Sequence, residues 1–170
     1  MKAYLYGPLT RLGLIAAAIV CVIDQAVKLW LLFAFDLANR GIVHLTPFLD
    51  FVLTWNTGIS YGLFPQDGDF GRFALLGLKT AAVAVLWIWL ARAETRLTAV
   101  ALGLIIGGAV GNGIDRLAYG AVMDFVLFHI TTPTFNFTWY VFNLADAAIV
   151  AGVVGLLYES FLGGRAAKAP

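Results

Sequence analysis

Four apolar runs dominate this chain, at roughly residues 11–33, 73–90, 97–113 and 142–162. A helix needs about 20 mostly apolar residues to cross a hydrocarbon core of about 30 Å, so each run is near the length of one crossing. Of the 170 residues, 61% are hydrophobic and 12% charged, with a mean hydropathy of +0.88. That composition argues against a soluble domain. The net charge of +1 gives no electrostatic pull toward nucleic acid. The first run, flanked by Lys2 and Arg11, is too long for a signal-peptide core. It also lacks a clear small-x-small cleavage site and is expected to be a retained span. The single cysteine, Cys21, lies inside that run, where a small buried hydrophobe is the simplest reading.

The fold expected is therefore an all-α polytopic membrane protein with four transmembrane helices, in a single membrane domain over residues 1–170. Four spans put both termini on one side. That side would carry Lys2, Arg11, Arg92, Arg96, Arg165 and Lys168, against Arg40, Arg72 and Arg116 on the other. The basic excess lies on the side of the termini and predicts that they are cytoplasmic. The loops over about 34–72 and 114–141 then face outward. Both contain β-branched and aromatic segments, "GIVHLTPFLDFVLTWNTGISYGLFP" (41–65) and "AVMDFVLFHI" (121–130), which read as short strands. A small extracytoplasmic β-sheet cradle at the membrane surface is expected, with Trp55, Tyr61, Trp139 and Tyr140 at interfacial depth. Gly103, Gly107 and Gly111 recur every fourth residue along the third run. Together with Gly108, and with the Ala148–Gly152 and Ala151–Gly155 pairs of the fourth run, they predict close packing of spans three and four.

Charges in spans are costly and tend to mark function. Here the polar residues fall at one depth, toward the outer face. Asn112, Asp115 and Arg116 end the third span, Asn143 and Asp146 open the fourth, and Asp24 and Lys28 lie in the first. Asp124 and Asn56 lie in the outer loops. A strand carrying Asp124 across the end of the fourth span would bring it to Asp146. Two carboxylates in one desolvated site share a proton, and such a pair can activate water while polarising a carbonyl. Read singly, Asp146 could instead be a helix N-terminal carboxylate and Asp124 an outward-facing strand residue. Asp24 and Lys28 have the i, i+4 spacing of an intrahelical ion pair. An Asp115–Arg116 contribution would tie span to loop, or Arg116 would grip substrate through its planar fork. His44 and His129 lie in different loops without metal-ligand spacing, so no metal is expected. Ser60 and Ser160 lack an evident base, and "GGAVGNG" follows no strand, so it is not read as a dinucleotide motif. A proton-coupled transporter relaying through Asp24 and Asp146, or a membrane scaffold, are the readings from other classes.

Five segments carry a resemblance: "DQAVK" (24–28), "NTG" (56–58), "GGAVGNGIDR" (107–116), "VMDF" (122–125) and "FNLAD" (142–146). In order and spacing the chain resembles the bacterial lipoprotein signal peptidases, the signal peptidase II family. The resemblance implies an aspartic endopeptidase of the bacterial inner membrane. Such an enzyme removes the signal peptide from diacylglyceryl-modified prolipoproteins, cutting before the lipidated cysteine. It implies Asp124 and Asp146 as the catalytic pair, and Asn56, Asn112, Arg116 and Asn143 as substrate-binding residues. Asp24, Lys28, Gly108 and Asp115 would be supporting. No cofactor and no metal are implied. The partners would be prolipoprotein substrates and membrane lipid, with no nucleic acid, and the chain is expected to act as a monomer. The chain departs from the family's pattern at Ile59, Ser60 and Tyr61 after "NTG", and at Gly113 after Asn112.

Overall fold

The computed structural model describes residues 5–58 and 69–166, without the side chains of 69–76, 79 and 162–166. Ile59, Ser60 and Tyr61 lie outside the described residues. Helix α1 (Thr10–Leu29) continues as a π-helical turn over Trp30–Ala34 and is followed by the short α2 (Leu37–Arg40). Strands β1 (Val43–Thr46) and β2 (Leu49–Asn56) come next. Then come α3 (Asp69–Leu90), α4 (Arg96–Tyr119), β3 (Val122–Thr132), β4 (Phe135–Thr138) and α5 (Leu144–Ala166). Among the described residues, three helices are long and apolar enough to cross a membrane: Thr10–Ala34, Arg96–Tyr119 and Leu144–Phe161. In α3 the described apolar stretch is the shorter Thr80–Leu90.

Helix α4 is the hub, with α1, α3 and α5 all packed against it. It starts at Thr95, whose hydroxyl accepts from the Thr98 N–H, and stops at Gly120, whose φ of 80° is the left-handed cap that glycine favours. At 24 residues it outruns the 97–113 expected, so the loop after it begins at Gly120. Asn112, Asp115 and Arg116 are therefore embedded in a helix, not poised at its end. The glycine ridge also differs from expectation. A Cβ on Gly103 or Gly107 would strike the backbone of Gly13 or Ala17 in α1, and one on Gly111 would meet Asp24 Oδ2. The ridge thus packs against span one. Close contact between α4 and α5 exists too, but through Gly108 against Ala145 and Ile149, and through Gly152 against Ala101 and Ile105.

The four strands form one antiparallel meander in the order β1-β2-β3-β4. β4, which the sequence reading did not resolve, pairs with the outer half of β3. The next residues stay beside β3, with Phe142 exchanging backbone hydrogen bonds with Val126. An apolar cluster of Leu31, Leu37, Met123, Phe125 and Val126 seats the sheet on the end of span one. At the opposite end the Trp87 indole donates to the Leu5 carbonyl, and a second cluster joins Ala17, Leu90, Ala93, Ala99, Leu102 and Ile106. Large apolar side chains such as Ile19, Phe33, Val154 and Phe161 are exposed on the helix exteriors, as suits spans whose surroundings are lipid.

Glycine substitutions separate backbone approach from open space. Gly107→Val forces a side chain onto the Ala17 backbone and is expected to cost about 1–3 kcal/mol, or more if the helices separate. Gly113→Ala, whose Cβ meets nothing within 4 Å, is expected to hold stability or raise it by up to about 1 kcal/mol through helix propensity. Thermal unfolding in micelles checks both. Equal midpoints for Gly107→Val and the unmodified chain would refute the close packing.

Candidate active site

Helix α5 opens with a reciprocal cap. The Asn143 side-chain oxygen accepts from the Asp146 N–H at 3.0 Å, and the Asp146 carboxylate accepts from the Asn143 N–H at 3.3 Å. This is the capping-box arrangement in its Asn-x-x-Asp form. Asp146 is therefore the helix-terminal carboxylate that one reading suggested. It is also half-buried and faces a cavity, so the second reading is not displaced by the first.

The cavity is about 500 Å³ and is lined by Asn56, Asp124, Trp139, Val141, Phe142 and Asp146, with Ala147 and Ile149–Ala151 continuing it along α5. A smaller one of about 280 Å³ lies on the other side, against Thr54–Gly58, Asp124, Tyr140 and Val141. Asp124 borders both. It reaches this position because β3 pairs through Val126 with Phe142, just ahead of α5, and because β2 bulges between Phe51 and Thr54 just before Thr54 pairs with Asp124. Bulges commonly re-aim a side chain beside a site.

Amides bind the two carboxylates into one unit. Asn143 Nδ2 donates to Asp124 Oδ1 at 2.7 Å and to Asn112 Oδ1 at 3.1 Å. Asn112 Nδ2 donates to Asp146 Oδ1 at 2.8 Å, and Asn56 Nδ2 to Asp124 Oδ2 at 3.2 Å. Asp124 is only 3% exposed. Burial pushes its carboxyl up from 3.8 to about 6, and the neighbouring Asp146 charge adds to the rise. The Asn56 and Asn143 hydrogen bonds and the Lys28 charge pull the other way.

Beneath this layer lies an ion cluster. Lys28 Nζ is 2.8 Å from Asp24 Oδ2 and 2.7 Å from Asp115 Oδ2, with all three side chains buried. The expected Asp24–Lys28 pair forms, but as part of a three-way group. Asp24 Oδ1 accepts the Ala145 N–H of α5 at 3.0 Å, and Asp115 Oδ2 accepts the Met123 N–H of β3 at 3.1 Å. Gln25 was not singled out from the sequence. It donates to Asp115 Oδ1 at 2.8 Å and to the Gly111 carbonyl at 3.1 Å. Its only signal was an amide beside Asp24 inside an apolar run.

Asn56 lines both cavities, whereas Asn112, Arg116 and Asn143 are buried. Arg116 donates to the Gly58 carbonyl at 2.7 Å and to the Asn112 carbonyl at 3.4 Å. Asp115 and Arg116 thus each tie the span to a different outer segment. Gly108 lets Ala145 and Ile149 approach α4. Ser160 lies on the far part of α5, and Ser60 lies outside the described residues. His44 and His129, though in separate segments, both meet Asp50 across the sheet, at 2.8 and 3.0 Å. Among the described residues no group of three or more His, Cys, Asp and Glu side chains has metal-holding geometry.

Known proteins resemble the chain over nearly its whole length. The pattern of the family described as Signal peptidase (SPase) II matches residues 16–162. The lipoprotein signal peptidase of Nitrobacter hamburgensis is 61% identical over 160 residues, covering 94% of this chain and 98% of that protein. The lipoprotein signal peptidases of Rhodopseudomonas palustris and Methylorubrum extorquens are 56% and 57% identical, covering 94% and 88% of this chain and 98% and 85% of theirs. Two solved structures, each described as a bacterial membrane enzyme, share the fold. Their TM-scores are 0.67 and 0.63 at 24% and 23% identity, covering 92% and 91% of this chain and 91% and 95% of theirs. With a family match over nearly the whole length, this chain belongs to signal peptidase II, an aspartic peptidase family, and is a multi-pass membrane hydrolase.

Proposed function

We propose that the chain cleaves diacylglyceryl-modified prolipoproteins just before the lipidated cysteine, with Asp124 and Asp146 as the catalytic pair. The observation that carries this reading is that the two carboxylates border one cavity and are joined through Asn112 and Asn143. α3 serves as the second span, which brings the number of crossings to four. The termini are cytoplasmic, and the sheet lies on the outer face of the bacterial inner membrane. The cavity runs down the apolar side of α5, so a signal helix enters sideways from lipid while its acyl chains stay in the bilayer. The scissile bond then lies at the sheet end, where water has access.

In this reading Asp124, the carboxyl driven up by burial, holds the shared proton and polarises the scissile carbonyl. Asp146, open to the cavity, takes a proton from water, and the hydroxyl adds to the carbonyl carbon. Asp124 gives its proton to the carbonyl oxygen as the hydroxyl adds, which leaves a gem-diol. As this collapses, Asp146 protonates the leaving nitrogen and Asp124 takes a proton back from the gem-diol, so the pair returns to its single-proton state. Asn56, at the junction of the two cavities, contacts the peptide. Asn112 and Asn143 hold the carboxylates, and Arg116 fixes the loop at Gly58. Asp24, Lys28, Gly108 and Asp115 support these groups from below. No metal, cofactor or second copy takes part.

Cleavage of a diacylglyceryl-modified prolipoprotein by the purified protein in micelles tests the reading. Asp124→Asn and Asp146→Asn, each checked for folding, are expected to lose about two to four orders of magnitude in kcat, the usual scale for a general acid or base. A folded Asn variant with near-normal rate would remove that residue from the pair. EDTA is expected to leave the rate unchanged, and a loss would overturn the metal-free mechanism.

The pH dependence follows from the proton count. A carboxyl raised to about 6 is protonated below that pH and ionised above it, so the free pair loses its shared proton as pH rises through about 6. The alkaline limb of kcat/KM, which reports the free enzyme, is expected near that value. The limb for kcat lies higher, because bound substrate excludes more water from Asp124. A pH-independent rate across this range would count against a shared proton.

A further inference from the structure

Two carboxylates would suffice to hold the charge of Lys28, yet its ammonium also reaches a third oxygen, Asn112 Oδ1, at 3.2 Å. Asn112 is the amide whose nitrogen donates to Asp146 at 2.8 Å. A carboxamide can turn end for end with almost no change in shape, so packing alone does not choose which atom faces the carboxylate. An ammonium has donors only and can be met only by oxygen. With Lys28 and, at 3.1 Å, the Asn143 NH2 both on the oxygen, the Asn112 NH2 must face Asp146. Lys28 is the charged one of the two donors. Asn143 is held the same way from the other side, since the backbone N–H of Asp146 claims its oxygen at 3.0 Å and turns its NH2 toward Asp124.

We propose that Lys28 is a positioning residue for the hydrolysis: by holding Asn112 Oδ1 it keeps the NH2 of that amide on Asp146. It thereby sets how many protons the Asp124–Asp146 pair holds at a given pH. This inference rests on the function proposed above and deepens it. The ionisable groups around Asn112 come from every element packed there. They are Cys21, Asp24 and Lys28 on α1, Asp115 and Arg116 on α4, Asp124 on β3 and Asp146 on α5. Lys28 is the cation among them that touches the Asn112 side chain, while Arg116 donates to its backbone carbonyl. Without Lys28 the Asn112 oxygen keeps only the neutral Asn143 NH2, at 3.1 Å, so the amide is held and polarised less strongly and its hydrogen bond to the Asp146 carboxylate weakens. The pair then takes up a further proton more readily. The acid limb of the rate profile must move to higher pH.

The test is the pH profile of prolipoprotein cleavage in micelles for the unmodified chain, Lys28→Met, Gln25→Leu, Asn112→Ala and Lys28→Met/Asn112→Ala. Lys28→Met is expected to move the acid limb up by about one unit, the scale of one hydrogen bond to a charged group, with kcat changed more than KM. Gln25→Leu breaks the same ion cluster at Asp115 without touching Asn112. It is expected to lower thermal stability and leave the limb in place. In the Asn112→Ala background, Lys28→Met should add only a smaller shift, from loss of the Lys28 charge that also acts directly on Asp124. If Lys28→Met alone does not fold, Asp24→Asn/Lys28→Met removes the ammonium together with one of its counter-charges and is read in the same way. An unmoved limb, or an equal shift with Asn112 absent, overturns the inference while leaving the proposed function standing. If the unmodified chain itself does not cleave, both fall together.

Discussion

Burying a carboxylate without a partner costs several kcal/mol, and an unpaired one neutralises or unfolds its surroundings. This protein buries Asp24, Asp115 and Asp124 in one layer where the sheet meets the helices. One ammonium, Lys28, answers the first two. Those two in turn accept backbone N–H groups from the head of α5 and the start of β3. Two further elements, α5 and β3, are thus pinned to α1 and α4 by one cluster of charges. The third carboxylate receives only neutral amides on its oxygens. Burial, with the Asp146 charge beside it, outweighs those amides and drives the Asp124 carboxyl up to about 6.

Much of this layer was legible because polar residues in apolar runs stand out. Asp24, Lys28, Asn112, Asp115, Arg116, Asn143 and Asp146 could all be placed at one depth from hydropathy alone, and Asp124 was found in a strand as its β-branched surroundings suggested. The partners were harder to see. Asp24 and Asp115 each accept one backbone N–H, from Ala145 and Met123, and such contacts leave no mark in a sequence. The direction of the glycine ridge was misassigned for a related reason. Four-residue spacing fixes a face of α4 but not which neighbour it meets, and the long first span reached that face before the fourth did.

The extent of α4 was underestimated because Asn112, Asp115 and Arg116 look like a helix end. Here each is satisfied by a neighbouring element, so the helix runs on to the left-handed cap at Gly120. β4 escaped notice because "FNFT" is short. Its stability comes from pairing along β3, and from a row of rings through Phe135, Phe137, Trp139 and Tyr140. Those are tertiary facts. The histidines teach the same lesson, since two side chains 85 positions apart, at 44 and 129, converge on Asp50 only once the meander is formed.

The reciprocal cap at the head of α5 has one more consequence. Its carboxylate belongs both to the cavity and to the scaffold that shapes the cavity. Any proton that Asp146 accepts weakens the acceptor that closes its own helix, an interaction on the scale of about 1 kcal/mol. Loosening that first turn slackens the hold on Asn143, and through it on Asp124. Charge state and local geometry at this end of the molecule are therefore a single variable. A proton arriving here is felt as movement, and a movement here is felt as a change in acidity.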